Sequence, residues 1–137
     1  MAYFSADRTE FPIVKVKFLW ANPTLKDFNE FLDYQKQLLE AETEFVLQMD
    51  SRVLSYLSSE VRIAQGQFFK TYKAPLNKYC LGAVLLVKSP IVKMMLKAMM
   101  LIERPPNTVL VTDSEVEASK MAADILKKQG NLTSNVY

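Results

Sequence analysis

Polar and apolar residues alternate along residues 11–20 (FPIVKVKFLW), with Ile13/Val14, Val16, Phe18 and Trp20 set against Lys15 and Lys17. A period near two marks a strand with one wet face. Residues 3–9 are placed to pair with it as a hairpin. The period then lengthens. Leu25, Phe28, Phe31, Leu32, Leu38 and Leu39 keep the three-and-four spacing of a helix with one apolar stripe. Asn22-Pro23 breaks the preceding strand, and Thr24 with Asp27 forms a T-x-x-D capping box at the helix start. This helix is predicted to run to about Ala41.

A short apolar strand follows over 44–49. Ser58 and Ser59 are good caps for a second helix with Val61, Ala64, Phe68 and Tyr72 inward. Pro75 is expected to end or bend that helix near Lys73, leaving 76–79 as a turn. Residues 81–87 read LGAVLLV, without alternation, as a strand covered on both faces does in a parallel sheet flanked by helices.

Ser89-Pro90 opens a third helix, with the serine as cap and the proline in the first turn, and Pro105-Pro106 ends it. A last strand is predicted over 109–111. Thr112 and Glu115 form a second capping box, before a helix with Ala118, Met121, Ala122 and Ile125 inward and Gly130 as its stop signal. Strands alternating with helices predict an α/β fold. The expected architecture is a single open mixed β-sheet, mostly parallel with an N-terminal antiparallel hairpin, of about five strands and four helices. One domain is expected over 1–130, with a flexible C-terminal tail over 131–137.

Composition narrows the chemistry. The 137 residues are 50% apolar and 11% aromatic, ordinary for a globular core. Asp7, Arg8 and Glu10 fall where a secretory signal needs an apolar run, so a cytoplasmic setting is expected. Lys88, Pro90, Lys93 and Lys97 interrupt the apolar run over 81–102, which argues against a bilayer span. The chain has no histidine, one cysteine and three glycines. It therefore lacks the usual proton-transfer residue, cysteine–histidine metal sets and glycine-rich phosphate loops. Carboxylate pairs such as Asp27 with Glu30 carry no motif and read as solvated surface. No catalytic residue, metal ligand or cofactor site is expected, and enzyme activity is disfavoured.

Charge is unevenly spread. No acidic residue lies between Glu60 and Glu103, where Arg62, Lys70, Lys73, Lys78, Lys88, Lys93 and Lys97 accompany Met94, Met95, Met99 and Met100. Residues 24–50 have the reverse bias, with seven carboxylates against Lys26 and Lys36. A net charge of +2 thus hides a strong dipole able to steer association.

The element order resembles the STAS fold of anti-sigma-factor antagonists and of sulphate-transporter cytoplasmic domains. The segments Val46-Leu-Gln-Met-Asp50, Tyr79-Cys-Leu-Gly82 and Val87-Lys-Ser-Pro-Ile-Val-Lys-Met-Met-Leu-Lys-Ala98 resemble an uncharacterised bacterial branch, the SpoIIAA-like proteins. The resemblance implies a regulatory protein-interaction module. In antagonists of that family an Asp-Ser-Ser-Gly sequence opens the helix after the strand, and its phosphorylated serine switches partner binding. Here the matching positions read Ser58-Ser59-Glu60-Val61, without the leading aspartate or the closing glycine. Ser58, Ser59 and Arg62 are accordingly either helix caps or a phospho-switch. Some SpoIIAA-like proteins also resemble CRAL-TRIO lipid carriers, which implies an apolar ligand as the alternative.

The third helix is the candidate site. On a helical wheel Ile91, Met95, Ala98 and Ile102 form an inward face, with Lys93, Lys97 and Arg104 opposite, Met100 among those cations, and Leu96 and Leu101 flanking. Lys93, Leu96, Lys97, Met100, Leu101 and Arg104 are the expected partner-binding residues. Their expected occupant is a protein partner or a second copy in a homodimer. The alternative is an apolar ligand or an anionic lipid surface. Nucleic acid ranks third, because no exposed aromatics interleave the cations.

Overall fold

A computed structural model describes residues 3–102, 105 and 107–136 of the chain. Strand β1 (Phe4–Asp7) runs antiparallel to β2 (Ile13–Phe18). Then come α1 (Leu25–Glu40), β3 (Phe45–Asp50), α2 (Ser59–Thr71), α3 (Lys73–Tyr79), β4 (Cys80–Leu86), α4 (Pro90–Ile102), β5 (Val109–Thr112) and α5 (Glu115–Val136). The sheet has the order β1-β2-β3-β4-β5, with every pairing after the first parallel. The expected fold class is the one observed, with five helices among the described residues.

Two cores flank the sheet. One face presents Val14, Val16, Phe18, Leu47, Ala83, Leu85 and Val87 to α1, α2, α3 and α4. The other presents Val46, Val84 and Leu86 to Ala118, Ala122 and Ile125 of α5. Alternation within β4 therefore feeds both cores, which is why LGAVLLV has no polar position. A bulge opens this strand: Phe45 pairs with Cys80 but Val46 pairs with Gly82, so Leu81 is extra. The skipped residue returns Cys80 to the four-helix side. A Cβ at Gly82 would stand 3.0 Å from Ile125 Cδ1 and 3.3 Å from the Thr108 carbonyl. Glycine there lets α5 seat against β4.

The helix ends follow their side chains. Thr24 Oγ1 accepts from the Asp27 amide at 3.1 Å, and Asp27 Oδ2 accepts from the Thr24 amide at 3.0 Å, which completes the predicted capping box. Pro75 leaves no turn: it lies in the first turn of α3, where no amide donor is required, so the chain restarts as a short helix. The cap of α5 is Ser114, whose Oγ accepts from the Glu117 amide at 3.2 Å. Thr112 Oγ1 instead accepts from the Ser114 amide, one step before the helix. Gly130 does not end α5, which continues to Val136. Glycine is only weakly unfavourable inside a helix, by about 1 kcal/mol against alanine.

Candidate functional site

Helix α4 is held at its start by Ser89, whose Oγ accepts from the Val92 amide at 3.3 Å. Val92 is fully buried, and Met95 and Leu96 pack on the four-helix core. The inward stripe is thus Val92, Met95, Leu96 and Met99, not the Ile91, Met95 and Ala98 face expected from the wheel. Ile91 is 54% exposed and Ala98 is exposed. The reason is physical: α4 is apolar around most of its circumference outside the Lys93–Lys97 strip, so its periodicity fixes the inward direction only coarsely and packing on the core sets the rest. The side chain of Ile102 was also expected inward and, like Arg104, lies outside what the structure describes.

Of the expected partner-binding residues, Leu101 is 88% exposed and Lys97 is exposed. Lys93 is half-buried. Leu96 and Met100 are also half-buried and line the apolar cavity below the helix, and Met100 lines the groove towards β5 as well. Met94 was not expected to lead the surface, yet it is 64% exposed and shares the outer side of α4 with Ile91 and Leu101.

Two grooves flank this crest. One, of about 460 Å³, lies between α2 and α4 and is lined by Ser59, Arg62, Ile63, Lys70, Ala98 and Met99 among others. Ile63 adds another exposed apolar side chain, at 60%. The other, of about 420 Å³, lies between α4 and β5, with Lys97, Met100, Leu101 and Asn107 in its walls. Residues 61–102 contain no carboxylate, so the apolar surface is rimmed by cations of a single sign.

The start of α2 resolves the two serines. Ser58 is the N-cap, its Oγ accepting from the Val61 amide at 3.2 Å. Ser59 is the first helical residue and is exposed. Arg62 Nε donates to the Leu57 carbonyl at 3.1 Å, which aims a terminal guanidinium nitrogen at Ser59 Oγ, 3.5 Å away. Ser58, Ser59 and Arg62 therefore do come together, with only Ser58 used as a cap.

Beneath the grooves is a partly open apolar cavity of about 90 Å³ between the sheet and helices α1 to α4. Phe28, Phe31, Phe69, Leu85, Leu96 and Met100 are among its walls. Met99 and Arg62 are shared with the α2–α4 groove, and Met100 with the α4–β5 groove. Met99, Met100 and Arg62 thus border both the cavity and a groove. Gln65 is only 8% exposed, and its Nε2 has no hydrogen-bond partner. Sequence reasoning missed it, although a glutamine four residues after Val61 and three before Phe68 stands in the apolar stripe of α2.

Chemical groups near the cavity are restrained. Asn107 Nδ2 donates to the Cys80 carbonyl and, at 3.3 Å, to the Leu76 carbonyl, which ties α3 and β4 to the segment before β5. Burial pushes the Cys80 thiol up to about 11, so it stays protonated at neutral pH. No cluster of three metal-ligating side chains occurs among the described residues, and none of their helices is long and apolar enough to cross a membrane. Comparison with protein-family models and with curated proteins finds no match.

Proposed function

We propose that the protein is a non-enzymatic, STAS-like regulatory module of the cytoplasm that docks a protein partner through the outer side of α4 and the adjoining α2–α4 groove. The carrying observation is the exposure of Leu101 at 88% and Met94 at 64% on a helix with no acidic residue. Fully burying a large apolar side chain contributes about 1.5–3 kcal/mol, so Leu101 and Met94 are the natural anchors of an interface whose remaining contacts and charges complete the affinity. Lys70, Arg62 and Lys97 then form a polar rim that selects an acidic surface. The order of strands and helices supports the STAS-like reading.

A second copy could offer the carboxylates of α1, such as Glu30 and Asp33, which are exposed. That contact joins two different patches and would propagate rather than close. A heterologous acidic partner fits the charge pattern better than a closed homodimer. Affinity capture from native lysate, compared between the wild type and a Met94→Glu/Leu101→Glu variant, tests this. Loss of a salt-sensitive partner from the variant is the expected result. Identical capture by both proteins, with neither self-associating in sedimentation, would reject the docking face.

The internal cavity favours a second reading, a small apolar ligand held against Gln65. An anionic lipid surface would use the same apolar and cationic residues of α4. Native mass spectrometry of the purified protein separates the ligand reading from docking alone: a bound mass supports it, and an empty protein from several preparations retires it.

A further inference from the structure

The face of the sheet that carries α5 is only partly covered. Helix α5 packs on β3, β4 and β5 and reaches β2 only lightly, at Ile13, so the sheet face beyond it carries a cleft. A cleft of about 240 Å³ lies there, lined by Ser5, Asp7, Lys15, Lys17, Gln48, Asp50, Leu86 and Glu115. It sits on the sheet face, towards the carboxyl ends of the parallel strands β2, β3 and β4. This is the side of the sheet opposite the proposed docking helix.

Most charges around the cleft are already paired. Asp50 Oδ1 accepts from Arg52 Nε at 2.9 Å and Oδ2 from a terminal guanidinium nitrogen at 2.7 Å, while Arg52 also reaches Glu115 at 3.5 Å. Asp7 Oδ1 accepts from the amide and hydroxyl of Thr9. Lys15 is ion-paired with Glu10. Two groups lack a direct partner, although Lys17 stands opposite Asp50 in the β2–β3 register and its charge helps hold that carboxylate ionised. Lys17 is exposed and makes no ion pair among the described residues. Gln48 is 4% exposed, lines the cleft, and has an Oε1 without any hydrogen-bond partner.

A buried acceptor left unmet is a cost that a leucine at this position would avoid. Val46 and Asp50 share its face of β3, and Lys15 and Val84 are its cross-strand neighbours. None of them donates to it. Lys17 lies one strand across and two residues along from Gln48, a diagonal of about 8 Å between Cα atoms. A cation and a buried acceptor at that separation call for a ligand carrying an anion and a hydrogen-bond donor a few bonds apart.

We propose that this cleft binds a small zwitterion of amino-acid size, its carboxylate on Lys17 and its ammonium donating to Gln48 Oε1. Ser5, opposite Lys17 in the β1–β2 register, stands on the same face and offers a hydroxyl to the carboxylate. The cleft is large enough for a small side chain, with Leu86 as its apolar contact. The site does not depend on the docking function, so the two can fail separately.

The test is an amide-shift titration of the full chain by NMR with glycine and L-alanine, and with acetate and methylamine as half-ligands. Saturable shifts at Lys17 and Gln48, including the Gln48 side-chain amide, are expected for the amino acids. Lys17→Ala and Gln48→Leu should each weaken binding about tenfold, and each half-ligand should bind at least about tenfold more weakly than glycine. Gln48→Leu should also melt no lower than the wild type, because it removes only an unmet acceptor. No saturable shift with either amino acid would overturn the proposal. So would acetate or methylamine matching glycine, binding unchanged in both variants, or a lower melting temperature in Gln48→Leu, which would make the amide a structural group.

Discussion

Arg62 holds a guanidinium nitrogen 3.5 Å from Ser59 Oγ at the amino end of α2, with its Nε anchored on the Leu57 carbonyl. The arrangement places a cation and the positive end of a helix dipole around one exposed hydroxyl. Negative charge at Ser59 is therefore favoured locally.

Ser59→Asp should stabilise the fold by about 0.3–1 kcal/mol, measured by chemical denaturation at low salt. Arg62→Ala should remove much of that gain. Because Ser59 lines the α2–α4 groove, the same charge should weaken capture of an acidic partner. A phosphate would act in the same direction and more strongly.

The two sides of α4 should respond differently to truncation. Leu101→Ala should alter stability by no more than about 0.5 kcal/mol, since the side chain touches little of the monomer. Leu96→Ala should cost about 1–2 kcal/mol, because Leu96 is half-buried against the core and lines the cavity. Urea denaturation of the two variants checks the contrast.

Gln65→Leu should raise stability by about 1 kcal/mol in the ligand-free protein, by removing a buried donor with no partner. In the ligand reading it should also abolish any thermal shift given by small apolar alcohols. Scanning calorimetry with and without such an alcohol reports both effects.

Glu42 follows the C-cap of α1 with φ at 55°, in the left-handed region that side chains other than glycine enter at a cost. Its amide donates to the Leu39 carbonyl at 3.1 Å, so the turn itself is used. Glu42→Gly should stabilise the protein by about 0.5–1 kcal/mol, after allowance for the greater freedom of glycine in the unfolded chain. Thermal melts at neutral pH would show it.

Stability should fall on the alkaline side. The unfolded Cys80 thiol titrates near 9.0 and the folded one near 11, so below pH 9 its contribution is complete. As pH rises from 9 to 11 the unfolded state loses a proton that the folded state keeps. That selective ionisation favours unfolding by about 2–3 kcal/mol across the window. Tyr3 acts in the same sense above pH 10, since burial raises its phenol further. Denaturation midpoints across pH 8–11 should decline, and more gently in Cys80→Ala.

Much of the architecture was legible in residue order because each feature had a local cause. The alternation of residues 11–20, the Thr24–Asp27 box, the apolar run of β4 and the Ser89-Pro90 start all act within a few residues of themselves. The restart at Pro75 was less legible, because a proline that ends one helix is equally suited to the first turn of another. Gln48 and Gln65 were missed for a related reason. A buried amide looks like any polar residue until its neighbours are known.

Residue order alone was enough for the alternation of strands and helices, the starts of α1, α2 and α4, and the separation of charge between residues 24–50 and 61–102. Those depend on backbone propensity, capping chemistry and composition, which are properties of short segments. Only the tertiary structure decided which side of α4 faces water. A helix apolar around most of its circumference fits a core in several neighbouring rotations, and the choice falls to the packing of Val92, Met95 and Leu96. The cavity below α4 and the cleft at Gln48 were decided at the same level, since each is bordered by elements far apart in the chain.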